Sequence, residues 1–250
     1  VIRVENLAKH FDRGREAPGS IVRAVERVSF EAANGRITGL LGPNGAGKTT
    51  TLRMISTLVA PTSGTGWVDD CEIRADPLRV RARLGMLTDA RGLYARLTAR
   101  ENIAYYGELR GMTRDALGTA IERLAGLLDM RSLLDRRTDG FSQGEKMKVC
   151  IARALVHDPP NVVLDEPTNG LDVMTTRSLR DVIRRLRDEG KCVLFSSHVM
   201  QEVSALCDLI VIIAHGVVVA SGRAEDLLAA SGCANLEDAF VALTGERLPA

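Results

Sequence analysis

The sequence is short of paired cysteines, of long apolar runs and of net charge. Its five cysteines, Cys71, Cys150, Cys192, Cys207 and Cys233, are odd in number and scattered without a C-x-x-C pair, so they point to neither a disulfide framework nor a zinc site. They read as small buried hydrophobes in a reducing cytoplasm. The longest apolar stretch, 209–220, is interrupted by His215 and Gly216 and falls well short of the ~20 residues a spanning helix needs. Work at a membrane would therefore require another chain to cross it. A formal net charge of +1 removes any global electrostatic reason to expect nucleic acid or an anionic bilayer as the main ligand, and no nucleic acid is expected. No secretory signal precedes Val1, and the absence of an initiating methionine is read as a trimmed start. There is no low-complexity segment and no repeat at a solenoid period.

What is present is an ordinary globular composition. With 250 residues, 45% hydrophobic and 26% charged, the chain can bury a substantial core as one large domain or two small lobes. Its most informative segment is Gly42-Pro43-Asn44-Gly45-Ala46-Gly47-Lys48-Thr49-Thr50, which has the spacing G-x-x-x-x-G-K-[ST]. Gly42, Gly45 and Gly47 let backbone N–H groups turn inward on an anion without a side chain in the way. Lys48 would reach the β- and γ-phosphates of a nucleotide, and Thr49 would hold Mg²⁺ through its hydroxyl. The helix starting near Lys48 adds the partial positive charge of its N-terminus. The context is right, because Arg36–Leu41 reads as a buried strand and 49–58 as a helix with Leu52, Ile55 and Leu58 on one side.

Strands are also expected at 1–4, at 21–30, around Trp67 after a turn at 63–66, and at 84–88, with a surface loop at 14–20. From Thr98 the pattern turns helical: Thr98 and Glu101 form a capping box, and Leu117, Ile121, Leu124 and Leu128 mark a second helix. A third runs from Ser142 to about His157, stopped by Pro159 and Pro160. The α/β alternation then resumes with strand 161–164, helix 175–189, strand 192–196 and a hairpin at 209–220. The pattern predicts an α/β fold: a mostly parallel sheet in 1–89 and 158–250 with an antiparallel segment near the N-terminus, interrupted by a helical lobe at 90–157.

Asn161–Glu166 is an apolar strand ending in two carboxylates, and in a parallel sheet that end lies on the same edge as the phosphate loop. Asp165 is placed to organise Mg²⁺, and Glu166 to act as general base on the attacking water. Phe141-Ser142-Gln143-Gly144-Glu145 has two compatible readings: a capping box from Ser142 to Glu145, or an anion site at a helix N-terminus. Ser196-Ser197-His198 follows a buried strand, where His198 can point at a γ-phosphate; His10, His157 and His215 read as structural.

In this order, over nearly the whole chain, GPNGAGKTT, FSQGE, VVLDEPTNGLD and SSH resemble the motifs of the nucleotide-binding subunit of ABC transporters, a P-loop NTPase with a RecA-like core. The stretches 91–102 and 236–245 look most like ATP subunits of ABC-2-type exporters of the sodium-efflux and drug-resistance groups. The resemblance implies an ATP- and Mg²⁺-dependent ATPase that closes as a head-to-tail homodimer and drives a separate transmembrane permease through the Asp89–Tyr94 surface. It would sit peripherally on the cytoplasmic face of the cell membrane. By the same resemblance, Phe11 stacks on adenine, and the loop at 169–172 with Asp172 crosses the dimer interface. Ser142, Gln143 and Gly144 bind the ATP held by the other copy, and His198 senses its γ-phosphate.

Two positions depart from the family pattern. Asp89 stands where glutamine is usual; it can still approach Mg²⁺ but cannot donate a hydrogen bond to water. Glu145 ends the signature, where it is unfavourable beside a triphosphate unless it turns back to cap its own helix. Alternatives are a soluble ABC-type ATPase of iron–sulfur assembly or DNA repair, and an ATP-gated scaffold without useful hydrolysis.

Overall fold

The computed structural model describes residues 1–12, 20–88 and 92–245. Most of the loop expected at 14–20, together with Asp89 and Arg91, lies outside the described residues. In chain order the elements are β1 (Ile2–Asp12), β2 (Ile21–Ala32), β3 (Arg36–Leu41), α1 (Lys48–Ile55), β4 (Ser63–Val68), β5 (Cys71–Glu72), α2 (Pro77–Arg83) and β6 (Leu84–Leu87). Three helices without an intervening strand follow: α3 (Ala99–Glu108), α4 (Arg114–Leu127) and α5 (Gln143–Leu155). The remainder is β7 (Asn161–Asp165), α6 (Val173–Asp188), β8 (Cys192–Ser197), α7 (Met200–Leu206), β9 (Leu209–Ala214), β10 (Val217–Gly222), α8 (Ala224–Ser231) and α9 (Leu236–Thr244).

The strands form one sheet in the order β5-β4-β1-β2-β10-β9-β3-β8-β7-β6. From β9 to β6 all pairings are parallel, whereas β5-β4-β1-β2 and the β9–β10 hairpin are antiparallel. The two blocks join where Val217 pairs with Arg27 and the Gly216 carbonyl accepts from the Glu26 and Arg27 amides. This is the expected α/β architecture. The strands β7 and β8 are buried throughout because helices cover both faces, which is why they read as unbroken apolar runs.

Successive strand residues serve opposite faces. Val162, Leu164, Val193 and Phe195 pack with Ile103, Leu124 and Ile151 of the helical segment, while Val163, Leu194 and Val211 pack with Leu52 and Ile55 of α1. The helices α3–α5 thus share a continuous apolar cluster with one side of the sheet.

Two local expectations need correction. Leu58 is 56% exposed and lies beyond α1, because Thr57 at φ +60° turns the chain out of the helix. Residues 63–66 belong to β4, where Ser63, Thr65 and Gly66 pair with β1; the bend that the glycines favour survives inside the strand as an irregularity at Gly64, φ +74°, where the register shifts opposite Asn6 and Leu7.

Candidate active site

The phosphate loop leaves β3 at Leu41 and enters α1 at Lys48. Gly45 sits at φ +84° with open space where a Cβ would be, so this part of the loop presents bare backbone. Gly47 sits at φ +104°, and a Cβ there would come within 2.6 Å of the Ala24 carbonyl oxygen, so β2 packs directly against the loop. The loop is held from behind by the Gly216 amide, which donates to the Ala46 carbonyl at 3.0 Å. Pro43, Asn44 and Gly45 form its outer rim, and Thr49 and Thr50 open the helix, half-buried.

Lys48 is buried, and its ammonium folds back on the loop, donating to the Gly42 carbonyl at 2.6 Å and to that of Pro43 at 3.1 Å. It also lies 3.4 Å from Glu166 Oε1. Burial pushes its pKa down, opposed by the charges of Glu166 and Asp165. The amine is therefore desolvated and poised for stronger anionic partners.

Parallel register brings the other groups to the same edge. Asp165, at the end of β7, pairs with Ser196 of β8, and Ser197 pairs with Leu41 at the mouth of the loop. Thr49 Oγ1 donates to Asp165 Oδ1 at 3.1 Å, and Ser196 Oγ donates to the same oxygen at 2.6 Å. Glu166 adopts φ +46°, a left-handed conformation uncommon for a long side chain that costs about 1 kcal/mol or more. Its amide donates to Ser196 Oγ at 3.0 Å, and its Oε2 lies 2.9 Å from His198 Nδ1. The Glu166 carboxylate is thus gripped between an ammonium and an imidazole. Thr49 and Asp165 supply an oxygen-only pair suited to a hard divalent cation such as Mg²⁺, which usually takes few protein ligands beside phosphate and water.

In the signature segment the capping box is formed. Ser142 Oγ accepts from the Glu145 amide at 3.2 Å, and Glu145 Oε2 accepts from the Ser142 amide at 2.8 Å. Glu145 also pairs with Arg136 at 3.3 Å, and these partners hold its pKa down, the Ser142 amide foremost. Glu145 is therefore turned back on its own helix, and Ser142 and Gln143 remain exposed at its start. Asp172 likewise caps α6, accepting from the Thr175 amide at 2.9 Å and hydroxyl at 2.6 Å. Among the described residues no hydrogen bond joins Ser142, Gln143, Gly144 or Asp172 to the phosphate loop. Phe11 is partly exposed near the end of β1, with the Lys9 ammonium 5.0 Å over its ring. Asp89, expected near the metal, lies outside the described residues.

Sequence reasoning assigned no role to three residues the structure makes prominent. Ser196 bonds both the Asp165 carboxylate and the Glu166 backbone amide. Asn102 is buried on α3 and exchanges hydrogen bonds with the Tyr94 amide and carbonyl at 2.9 and 3.1 Å. Arg153 reaches from α5 to the Gly92 carbonyl at 2.6 Å. A polar residue on an apolar helix face was the available signal for Asn102; for the other two only long-range pairing reveals the role.

With this geometry established, comparison with known proteins is informative. Residues 25–169 match the family described as ABC transporter. The chain is 45% identical over 208 residues to the ABC transporter ATP-binding protein NatA of Bacillus subtilis, covering 83% of this chain and 85% of that protein. It is 34% identical over 258 residues to the doxorubicin resistance ATP-binding protein DrrA of Mycobacterium tuberculosis, covering 98% of this chain and 75% of the relative. Among solved structures it resembles an ATP-binding subunit of an ABC transporter with a TM-score of 0.84 at 27% identity, over 97% of this chain and 99% of that one. Phosphate loop, helix-capping signature, paired carboxylates and histidine follow one another along a chain that matches this family over more than half its length, and the chain belongs to the family of ABC transporter ATP-binding proteins.

Proposed function

We propose that the chain binds and hydrolyses ATP as the energising subunit of an ABC-type exporter, peripheral on the cytoplasmic face of the membrane, and that ATP closes two copies head to tail. The observation that carries this is a division of labour within one chain. Lys48, Asp165, Glu166 and His198 are assembled on one edge, while among the described residues Ser142 bonds only within its own helix cap and Gly144 packs on Thr175. A second copy would supply its Ser142, Gln143 and Gly144, with the Asp172 loop crossing between the copies. Phe11 would take the adenine, and residues 42–50 the phosphates.

Thr49 and Asp165, with Asp89 as a further proposed ligand, would hold Mg²⁺, which would supply charge neutralisation to the triphosphate. The chain's own groups account for the rest. Lys48 transfers its ammonium from the Gly42 and Pro43 carbonyls to the triphosphate, which frees Glu166 Oε1 to accept a proton from the attacking water as the γ-phosphoryl leaves ADP. His198, on Oε2, fixes the orientation of that carboxylate and lies where a γ-phosphate would be sensed.

No helix among the described residues is long and apolar enough to cross a membrane. The permease would be a separate chain docking on the surface around Asp89–Tyr94, where Tyr94, Tyr105 and Leu109 are exposed on and beside α3. We take 90–157 as an inserted helical subdomain carrying this surface and the signature together. The relative DrrA, a resistance protein by name, supports export.

The test is Glu166→Gln. ATPase should fall by about 10²-fold or more, as expected for loss of a general base, while ATP accumulates a dimer seen by light scattering. A variant that remains monomeric at saturating Mg-ATP overturns the reading, and affinity capture from membranes should bring a polytopic partner with it.

A further inference from the structure

The helix α5 touches two distant places. Its N-terminal end is the signature, and about three turns along stands Arg153. The guanidinium donates to the Gly92 carbonyl at 2.6 Å and lies 4.2 Å from the centroid of the Tyr106 ring. Tyr106 meets Tyr105 edge to face at 5.8 Å, and Tyr105 meets Tyr94 in the same way at 5.4 Å.

Among the described residues Arg153 has no carboxylate partner, and its Nε is buried without a hydrogen bond. Half-burying a cation on these terms is unfavourable unless the carbonyl and the ring face both compensate, and only a planar guanidinium can stack and donate sideways at once. Residues 92–94 are thereby fastened twice. Asn102 holds the Tyr94 backbone to α3, and Arg153 holds Gly92 to α5. Since α5 is a continuous helix, a displacement of its Ser142 end is carried to Arg153 with little loss.

We infer that Arg153 is a positioning residue that ties the signature helix to segment 92–94, so that engagement of Ser142 by a nucleotide is felt on the face assigned to the permease. This rests on the function proposed above. Arg153 itself touches neither nucleotide nor reacting atoms.

The test uses the full chain carrying Glu166→Gln and follows amide hydrogen exchange of the peptide spanning 92–98, with and without Mg-ATP. With Arg153 intact, ATP should change the exchange rate there at least threefold. In Arg153→Met the change should disappear while ATP-driven dimerisation persists; in Arg153→Lys, which keeps the charge over the ring, part of it should return. Tyr106→Leu removes the ring under the guanidinium, along with its edge contact to Tyr105, and should mimic Arg153→Met, which covers the case in which that variant folds poorly. Equal ATP responses in the parent, Arg153→Met and Tyr106→Leu, or no response in a parent that dimerises, overturn the inference. A parent that never dimerises overturns the function proposed above and the inference with it.

Discussion

Ser196 Oγ donates to Asp165 Oδ1 at 2.6 Å while accepting from the Glu166 amide at 3.0 Å, so one buried hydroxyl sets the posture of both acidic residues. Ser196→Ala leaves the Glu166 N–H without its partner and Asp165 with one donor fewer. Loss of such an outer contact to a metal ligand typically costs 10–100-fold in metal affinity or activity. The expected result is a Mg²⁺ requirement for ATPase shifted to at least tenfold higher concentration, with a stability loss of about 1–3 kcal/mol from the orphaned amide. A Mg²⁺ titration superimposable on wild type would remove Ser196 from this role.

Gly144 links the signature to the next loop through packing. A Cβ there would stand 3.0 Å from Thr175 Cγ2 and 3.1 Å from Thr175 Oγ1, and that hydroxyl is the donor to Asp172. Gly144→Ala should therefore press on the α6 cap and forfeit the stabilisation of about 0.5–1 kcal/mol that replacing glycine by alanine ordinarily brings inside a helix. Thr175→Ser removes the methyl group and keeps the hydroxyl, so the double variant should recover part of the loss in thermal unfolding. Additive single effects would show that the two positions are not coupled.

His157 gives the fold a sensitivity to acid. Burial, reinforced by the Arg110 charge, lowers its pKa to about 4 from an ordinary 6.5. The folded chain keeps the imidazole neutral where the unfolded chain would protonate it, so stability is full above pH 6.5 and falls as the pH drops from 6.5 toward 4. The loss attributable to this residue is about 3 kcal/mol at most. Replacing His157 with Gln should flatten the pH dependence of Tm across that interval; an unaltered slope would assign it to carboxylates instead.

Much of the site is written in short-range chemistry. The phosphate loop and both capping boxes, Thr98 with Glu101 and Ser142 with Glu145, are contacts three to six residues apart, and they form within their own segments. The failures are equally physical. Leu58 continued a helical period that Thr57 ends by its backbone angle, and the bend expected at 63–66 was absorbed into β4 as an irregularity at Gly64 when Ser63 and Thr65 paired with β1. The contacts of Ser196 and Arg153 span 31 and 61 residues, and no local pattern encodes such partners.

The sequence by itself determined which chemical groups the protein carries and the local backbone that presents each one: a glycine loop before a lysine, two carboxylates at a strand end, a serine at a helix start. Only the tertiary structure decided that these groups meet. Thr49 and Asp165 lie 116 residues apart, and they touch because β3, β8 and β7 run parallel side by side and end on one edge. Local preferences fix dihedral angles within a few residues, whereas sheet register depends on how the two apolar faces of β3, β7 and β8 are covered by helices from every part of the chain.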